Sequence, residues 1–210
     1  MKPALLLAVV NRLRRHALLA PNNPCACAIT TSATVMHQQL INRIDARDAV
    51  VGIIGLGYVG LPLLITFARE GFAVRGFDLD CDKIVQLESG HSYIRHILPA
   101  DIDQFIAAND RALVTDDFAC TAECDAVLIC VPTPLSEHRD PDLSYIIGTG
   151  ERLAPHLKRG QCIILESTTF PGTTEDELIP VLQANSELVA GRDFFVAYSP
   201  EREDPNNTNF

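Results

Sequence analysis

The stretch Val51-Gly-Ile-Ile-Gly-Leu-Gly-Tyr-Val-Gly-Leu-Pro62, read together with Gly76-Phe-Asp-Leu-Asp80, decides the fold. Ala49–Ile54 is a short, β-branched apolar run bounded by glycine, as expected for a strand buried on both faces of a parallel sheet. Gly55-Leu-Gly57-Tyr-Val-Gly60 follows at once, and Leu61, Leu64, Ile65 and Ala68 then recur at helical spacing until Gly71. Strand, glycine loop and helix in that order suit a phosphate-binding turn. Gly55 permits the tight turn, Gly57 lets the backbone approach a diphosphate, and Gly60 lets the helix pack on the sheet. The helix amino terminus adds unpaired N–H groups and a partial positive charge. Pro62 fits the first turn, where a missing N–H costs little.

Asp78 closes the second strand, Ala73–Phe77, 18 positions after Gly60. That is about where a dinucleotide-binding unit places the acid that holds the adenosine ribose. A carboxylate there accepts hydrogen bonds from both ribose hydroxyls and repels a 2′-phosphate, and Asp80 and Asp82 add to the repulsion. The expected cofactor is therefore NAD, not NADP. Lys83 is the nearby lysine that reaches the ribose or phosphate edge. The same glycines also serve as plain turn residues in other α/β proteins, and Lys83 also reads as a solvated helix residue.

Outward from this unit the chain keeps alternating. Helical stretches are expected at Asp80–Leu87, Asp101–Ala108 and Leu143–Ala154, the last weakened by Gly148 and Gly150. Thr174-Glu-Asp-Glu177 has capping-box spacing and opens a further helix to about Leu182. Strands are expected at Ala112–Thr115, Asp125–Val131, Gln161–Glu166 and Asp193–Tyr198. Six strands joined by helical crossovers predict an α/β fold, a doubly wound parallel sheet of the Rossmann type in order 3-2-1-4-5-6. Ligands of such sheets bind beyond the carboxyl ends of the strands. Those ends carry Thr133, Thr168 and Glu201. The threonines are candidates for holding cofactor or a water, and Glu201 for acid/base work or charge stabilisation. Hydroxyl residues are also ordinary at strand ends and caps.

Composition bounds the rest. Hydrophobic residues make up 47% of the 210 residues and charged residues 21%, enough apolar matter for a real core. A net charge of −10 argues against an electrostatic nucleic-acid binder. The charge is uneven: six basic residues against two acidic ones leave residues 1–48 at +4 and the remainder at −14. No apolar run approaches the length of a membrane span. Ala4–Val10 is short for a signal peptide, and arginines follow where a cleavage site belongs. Seven cysteines without a metal-type CxxC pair read as ordinary thiols of a reducing, cytoplasmic protein, and no metal site is expected. Residues 1–35 are expected to be a disordered extension, with a short helix at His37–Arg47 before the domain at 36–210.

Six motifs in order carry a resemblance: Val51–Pro62, Gly76–Asp80, Val131-Pro-Thr-Pro-Leu135, Pro141-Asp-Leu-Ser-Tyr145, Glu166-Ser-Thr-Thr-Phe-Pro-Gly-Thr-Thr174 and Tyr198-Ser-Pro-Glu-Arg-Glu-Asp-Pro205. Together they resemble the amino-terminal domain of the UDP-glucose/GDP-mannose dehydrogenase family, in particular its members that oxidise UDP-N-acetylhexosamines. The resemblance implies NAD-dependent oxidation of a sugar primary alcohol to a carboxylate in two steps, for surface polysaccharide synthesis, on a UDP-linked substrate. It implies that Tyr58, Val59, Asp78, Lys83 and Thr133 contact NAD, that Thr168 sits beside the nicotinamide and the catalytic water, and that Glu201 assists thioester hydrolysis. Full-length relatives are expected to be homo-oligomers. The family's lysine, asparagine and nucleophilic cysteine have no counterparts here, and none of the seven cysteines matches the nucleophile's motif. The chain is therefore expected to be a partial copy that binds NAD without oxidising nucleotide sugars. Two alternatives stay open: a non-catalytic NAD-binding regulatory module, and a dehydrogenase domain of the hydroxyacid or hydroxyacyl type.

Overall fold

The structure, a computed structural model, describes residues 27–95, 97–107, 111–135 and 141–199. Six parallel strands form one sheet in the order β3-β2-β1-β4-β5-β6, the order predicted from the alternation. They are β1 (Val50–Ile54), β2 (Ala73–Phe77), β3 (Ala112–Thr115), β4 (Ala126–Ile129), β5 (Cys162–Leu165) and β6 (Phe195–Tyr198). Helices α1 (Cys27–Asp45), α2 (Gly60–Arg69), α3 (Cys81–Glu88), α4 (Pro99–Ala107), α5 (Ser144–Leu153) and α6 (Ile179–Ala184) cover the sheet.

The two-residue period of a strand sorts its side chains onto two cores. Val51, Ile53, Leu128 and Ile164 face α1 through α4, where Leu40, Ile44, Leu61, Leu64, Leu87 and Ile102 meet them. Ile54, Val127, Ile129, Ile163 and Leu165 face the other way, against Ile146 and Leu153 of α5 and Leu182 of α6. The central strands are buried on both faces, so they read in sequence as near-continuous apolar runs.

Three expectations are corrected. The short helix expected at His37–Arg47 is longer and runs from Cys27 to Asp45. Its Ser/Thr-rich first half gives no helical signal, whereas Leu40, Ile41 and Ile44 further along bury against the sheet. The capping box at Thr174 does not form. Gly172, left-handed at φ 97°, occupies the cap position, and Thr173–Leu178 winds as a wide π turn before α6. The last strand begins at Phe195, because Asp193 is taken up by the preceding turn, where it accepts from the backbone of Val189 at 3.0 Å.

Candidate functional site: the glycine loop and the β4–β5 rim

Backbone sterics explain the loop after β1. Gly55 has φ 89°, and a Cβ there would lie 2.7 Å from the carbonyl oxygen of Cys130. A Cβ on Gly60 would lie 1.9 Å from the carbonyl oxygen of Gly55, so only glycine lets the start of α2 close on the turn. Around the Cβ position of Gly57 there is nothing within 4 Å. Two of the three glycines thus serve the chain's own packing, and the third borders open space. Tyr58 is exposed at the loop's tip and Val59 packs partly on the core.

Leu56, fully buried, is held from two sides. Its N–H donates to Oδ2 of Asp78 at 2.8 Å, and its carbonyl accepts from the Tyr93 hydroxyl at 2.6 Å. Asp78 is itself 9% exposed. Its Oδ2 also receives Lys83 Nζ at 3.0 Å, and its Oδ1 receives the N–H of Asp80 at 3.0 Å. An ionised carboxylate offers about four acceptor directions. Three are used, so one on Oδ1 is left for a ribose hydroxyl. Asp78 is a clamp on the glycine loop as well as an acceptor. Asp80 meanwhile caps α3 by accepting from the N–H of Asp82 at 3.1 Å.

The rim beyond β4 and β5 is a second cluster. The N–H of Cys130 donates to the carbonyl of Ile54 at 2.8 Å, tying the end of β4 to the glycine loop. Ser167 Oγ donates to the carbonyl of Val131 at 2.6 Å, and Thr133 Oγ1 donates to the carbonyl of Thr168 at 2.8 Å. Thr133 and Thr168 are therefore neighbours, as placement on adjacent strand ends requires, and Thr168 is exposed. Glu201 lies outside the described residues. Cys162 and Cys124 are buried thiols pushed up to about 12 by desolvation, which makes them packing groups and not nucleophiles. Tyr93 and Ser167 border the candidate site; Ser167 enters the sequence reading only as part of the motif Glu166–Thr174, and Tyr93 not at all. Both act through contacts 36 or 37 residues away, which neighbouring sequence does not reveal.

The residues present fit a dinucleotide. An open glycine at a helix amino terminus suits a diphosphate, and a buried carboxylate with one free acceptor direction suits a ribose. The model of the UDP-glucose/GDP-mannose dehydrogenase family, NAD binding domain, matches residues 49–210. UDP-N-acetyl-D-glucosamine 6-dehydrogenase of Pseudomonas aeruginosa is 37% identical over 161 residues, covering 77% of this chain and 37% of that relative. UDP-N-acetyl-D-mannosamine dehydrogenase of Pyrococcus horikoshii is 38% identical over 158 residues, covering 74% and 37%. Among solved structures, NDP-N-acetyl-D-galactosaminuronic acid dehydrogenase from Methanosarcina mazei superposes with a TM-score of 0.70 at 34% identity, covering 79% of this chain and 37% of that one. The chain thus spans a little over a third of the length of these relatives.

Proposed function

The chain belongs to the UDP-glucose/GDP-mannose dehydrogenase family, and from that premise we propose that it holds NAD for the oxidation of a UDP-N-acetylhexosamine primary alcohol to a carboxylate. The observation that carries the reading is the glycine loop, with both sides of Leu56 fastened and the Gly57 side open. The backbone N–H groups of the turn that leads into α2 receive the diphosphate, and Tyr58 and Val59 flank it. Asp78 accepts a hydroxyl of the adenosine ribose on Oδ1, and Lys83 steadies the carboxylate and borders the ribose. Asp78, Asp80 and Asp82 together disfavour a 2′-phosphate, which is the ground for NAD over NADP.

Bound NAD supplies the hydride acceptor. Thr133 and Thr168 line the rim on which the nicotinamide end rests, with Thr168 placed to orient a water, and Glu201 is assigned to assist hydrolysis of the thioester. The sugar is inferred from relatives named for UDP-N-acetyl-D-glucosamine and UDP-N-acetyl-D-mannosamine. The cytoplasm, where nucleotide sugars and NAD meet, is the compartment this reading implies. No helix among the described residues is long and apolar enough to cross a membrane.

Calorimetric titration with NAD tests the reading. A saturable one-to-one isotherm is expected, weakened at least about tenfold by Asp78→Ala, which removes a charged hydrogen-bond acceptor. Equal binding of the two proteins, or tighter binding of NADP than of NAD, would refute it.

A further inference from the structure

Tyr93 has no place in the sequence motifs, yet its hydroxyl reaches across 37 residues to the middle of the glycine loop. The carbonyl it meets, that of Leu56, belongs to the same planar peptide unit as the N–H of Gly57. In a trans peptide the C=O and N–H point in opposite directions, so fixing one fixes the other. The Tyr93 hydrogen bond holds the Leu56 carbonyl toward the phenol, and the Gly57 N–H is thereby turned the other way. Gly57 has no side chain to pin that unit, and there is nothing within 4 Å of its Cβ position. A glycine in open space is where a peptide plane rotates most freely.

We propose that Tyr93 is a positioning residue that aims the Gly57 N–H at the dinucleotide diphosphate; the inference rests on the NAD-binding reading above. The loop carrying Tyr93 is anchored without its hydroxyl. Ile94 and Ile97, just after it, are buried. Ser92 Oγ both accepts from the N–H of Ile94 and donates to its carbonyl. The phenol ring packs on the core, and Lys83 Nζ stands 5.9 Å from its centroid. Removing the hydroxyl alone therefore leaves the fold in place. Burial, and then the charges of Asp78 and Asp80, push the phenol well above its usual value, so it stays a donor through the neutral range. Lys83, Asp78 and Tyr93 form one connected support: the lysine steadies the acid, the acid holds the N–H of Leu56, and the tyrosine holds its carbonyl.

The test is Tyr93→Phe in the full 210-residue chain, with NAD titrated by calorimetry and the ligand-free protein followed by 15N–1H correlation spectra. The dissociation constant for NAD is expected to rise roughly three- to tenfold, the scale of one lost hydrogen bond. The Gly57 amide resonance is expected to move or broaden while those of Ile53 and Val127 in the strands stay in place. Unchanged NAD affinity would overturn the inference, as would a Gly57 resonance that does not respond. Loss of binding with displaced strand resonances would also overturn it, by making the role structural. Failure of the unsubstituted chain to bind NAD sinks the functional reading instead, and the Gly57 resonance still decides whether Tyr93 orients the peptide.

Discussion

Gly57 and Gly60 stand three residues apart and respond differently to a side chain. At Gly60 a methyl group meets the carbonyl oxygen of Gly55 at 1.9 Å, and neither backbone segment can yield without dismantling the turn. Gly60→Ala is expected to lower the thermal midpoint sharply, by the several kcal/mol typical of forced backbone clashes. At Gly57 the methyl group enters open space. Gly57→Ala is expected to leave stability within about 0.5 kcal/mol and to weaken NAD at least about tenfold, because the methyl group lies where a diphosphate must approach. Paired melting and titration of the two variants separate the architectural glycine from the one facing the ligand. If Gly57→Ala bound NAD as well as the parent, the diphosphate would not lie over this turn. These positions were legible in the sequence because only one residue type satisfies them, so identity alone is the signal. Asp78 was legible as an acid in the right place, but its second task, clamping the N–H of Leu56, was not. Tyr93 left no trace, since nothing near it in the chain repeats or alternates.

At the scale of elements, α5 shows how far propensity misleads. Gly148-Thr-Gly150 weakens a helix on paper, yet the helix runs unbroken from Ser144 to Leu153. Gly150 faces α6, where an added Cβ would meet Val181 at 3.0 Å and, in the turn before α6, Leu178 at 3.3 Å; Gly148 has nothing within 4 Å. Close packing accounts for the first glycine and not the second. Gly148→Ala is therefore expected to raise stability by up to about 1 kcal/mol, the helix-propensity difference. Gly150→Ala should gain less or lose, and chemical denaturation distinguishes the two. The turn before β6 carries an acid-sensitive bond. Asp193, 1% exposed, accepts from Arg192 at 2.6 Å and from Val189, and pairs with Arg159 at 2.8 Å. Its hydrogen bonds with Arg192 come first among the causes that hold its carboxyl below the usual carboxylate value, against the opposing effect of burial. Because the folded pKa is depressed, the unfolded chain binds this proton more readily. The stabilisation is complete above the unfolded value and is lost as pH falls through the folded one. Asp193→Asn should lower stability at pH 7 and flatten its decline below about pH 4 in acid titrations followed by denaturant melts. The strands themselves were legible because burial on both faces makes them plain apolar runs. The wide turn at Thr173–Leu178 was not, because Thr174 and Glu177 carry capping-box spacing without a cap to form.

Across the whole molecule, Asp125 fastens pieces that the sequence gives no reason to connect. It accepts from the N–H of Val50 at 2.8 Å, bonds Arg43 of α1, and pairs with Lys158 at 3.4 Å. One carboxylate at the start of β4 thus joins the first helix, the central strand and the approach to β5. Asp125→Ala takes the acceptor from the part-buried N–H of Val50 and one partner from each of two half-exposed cations, and is expected to cost about 2 kcal/mol in urea denaturation. A change below 1 kcal/mol would show that α1 is held by its apolar face alone. That face, Leu40, Ile41 and Ile44, covers the sheet on the side of α2, so α1 is part of the domain's packing. The proposed NAD site lies at the opposite end of the sheet, where strand ends, glycine loop and acid converge. A crystal structure of this chain with NAD tests that convergence most directly. The account predicts diphosphate oxygens within about 3 Å of backbone amide nitrogens of the turn at 55–60, and a ribose hydroxyl on Asp78 Oδ1. A cofactor bound elsewhere, with the turn at 55–60 intact and empty, would contradict it.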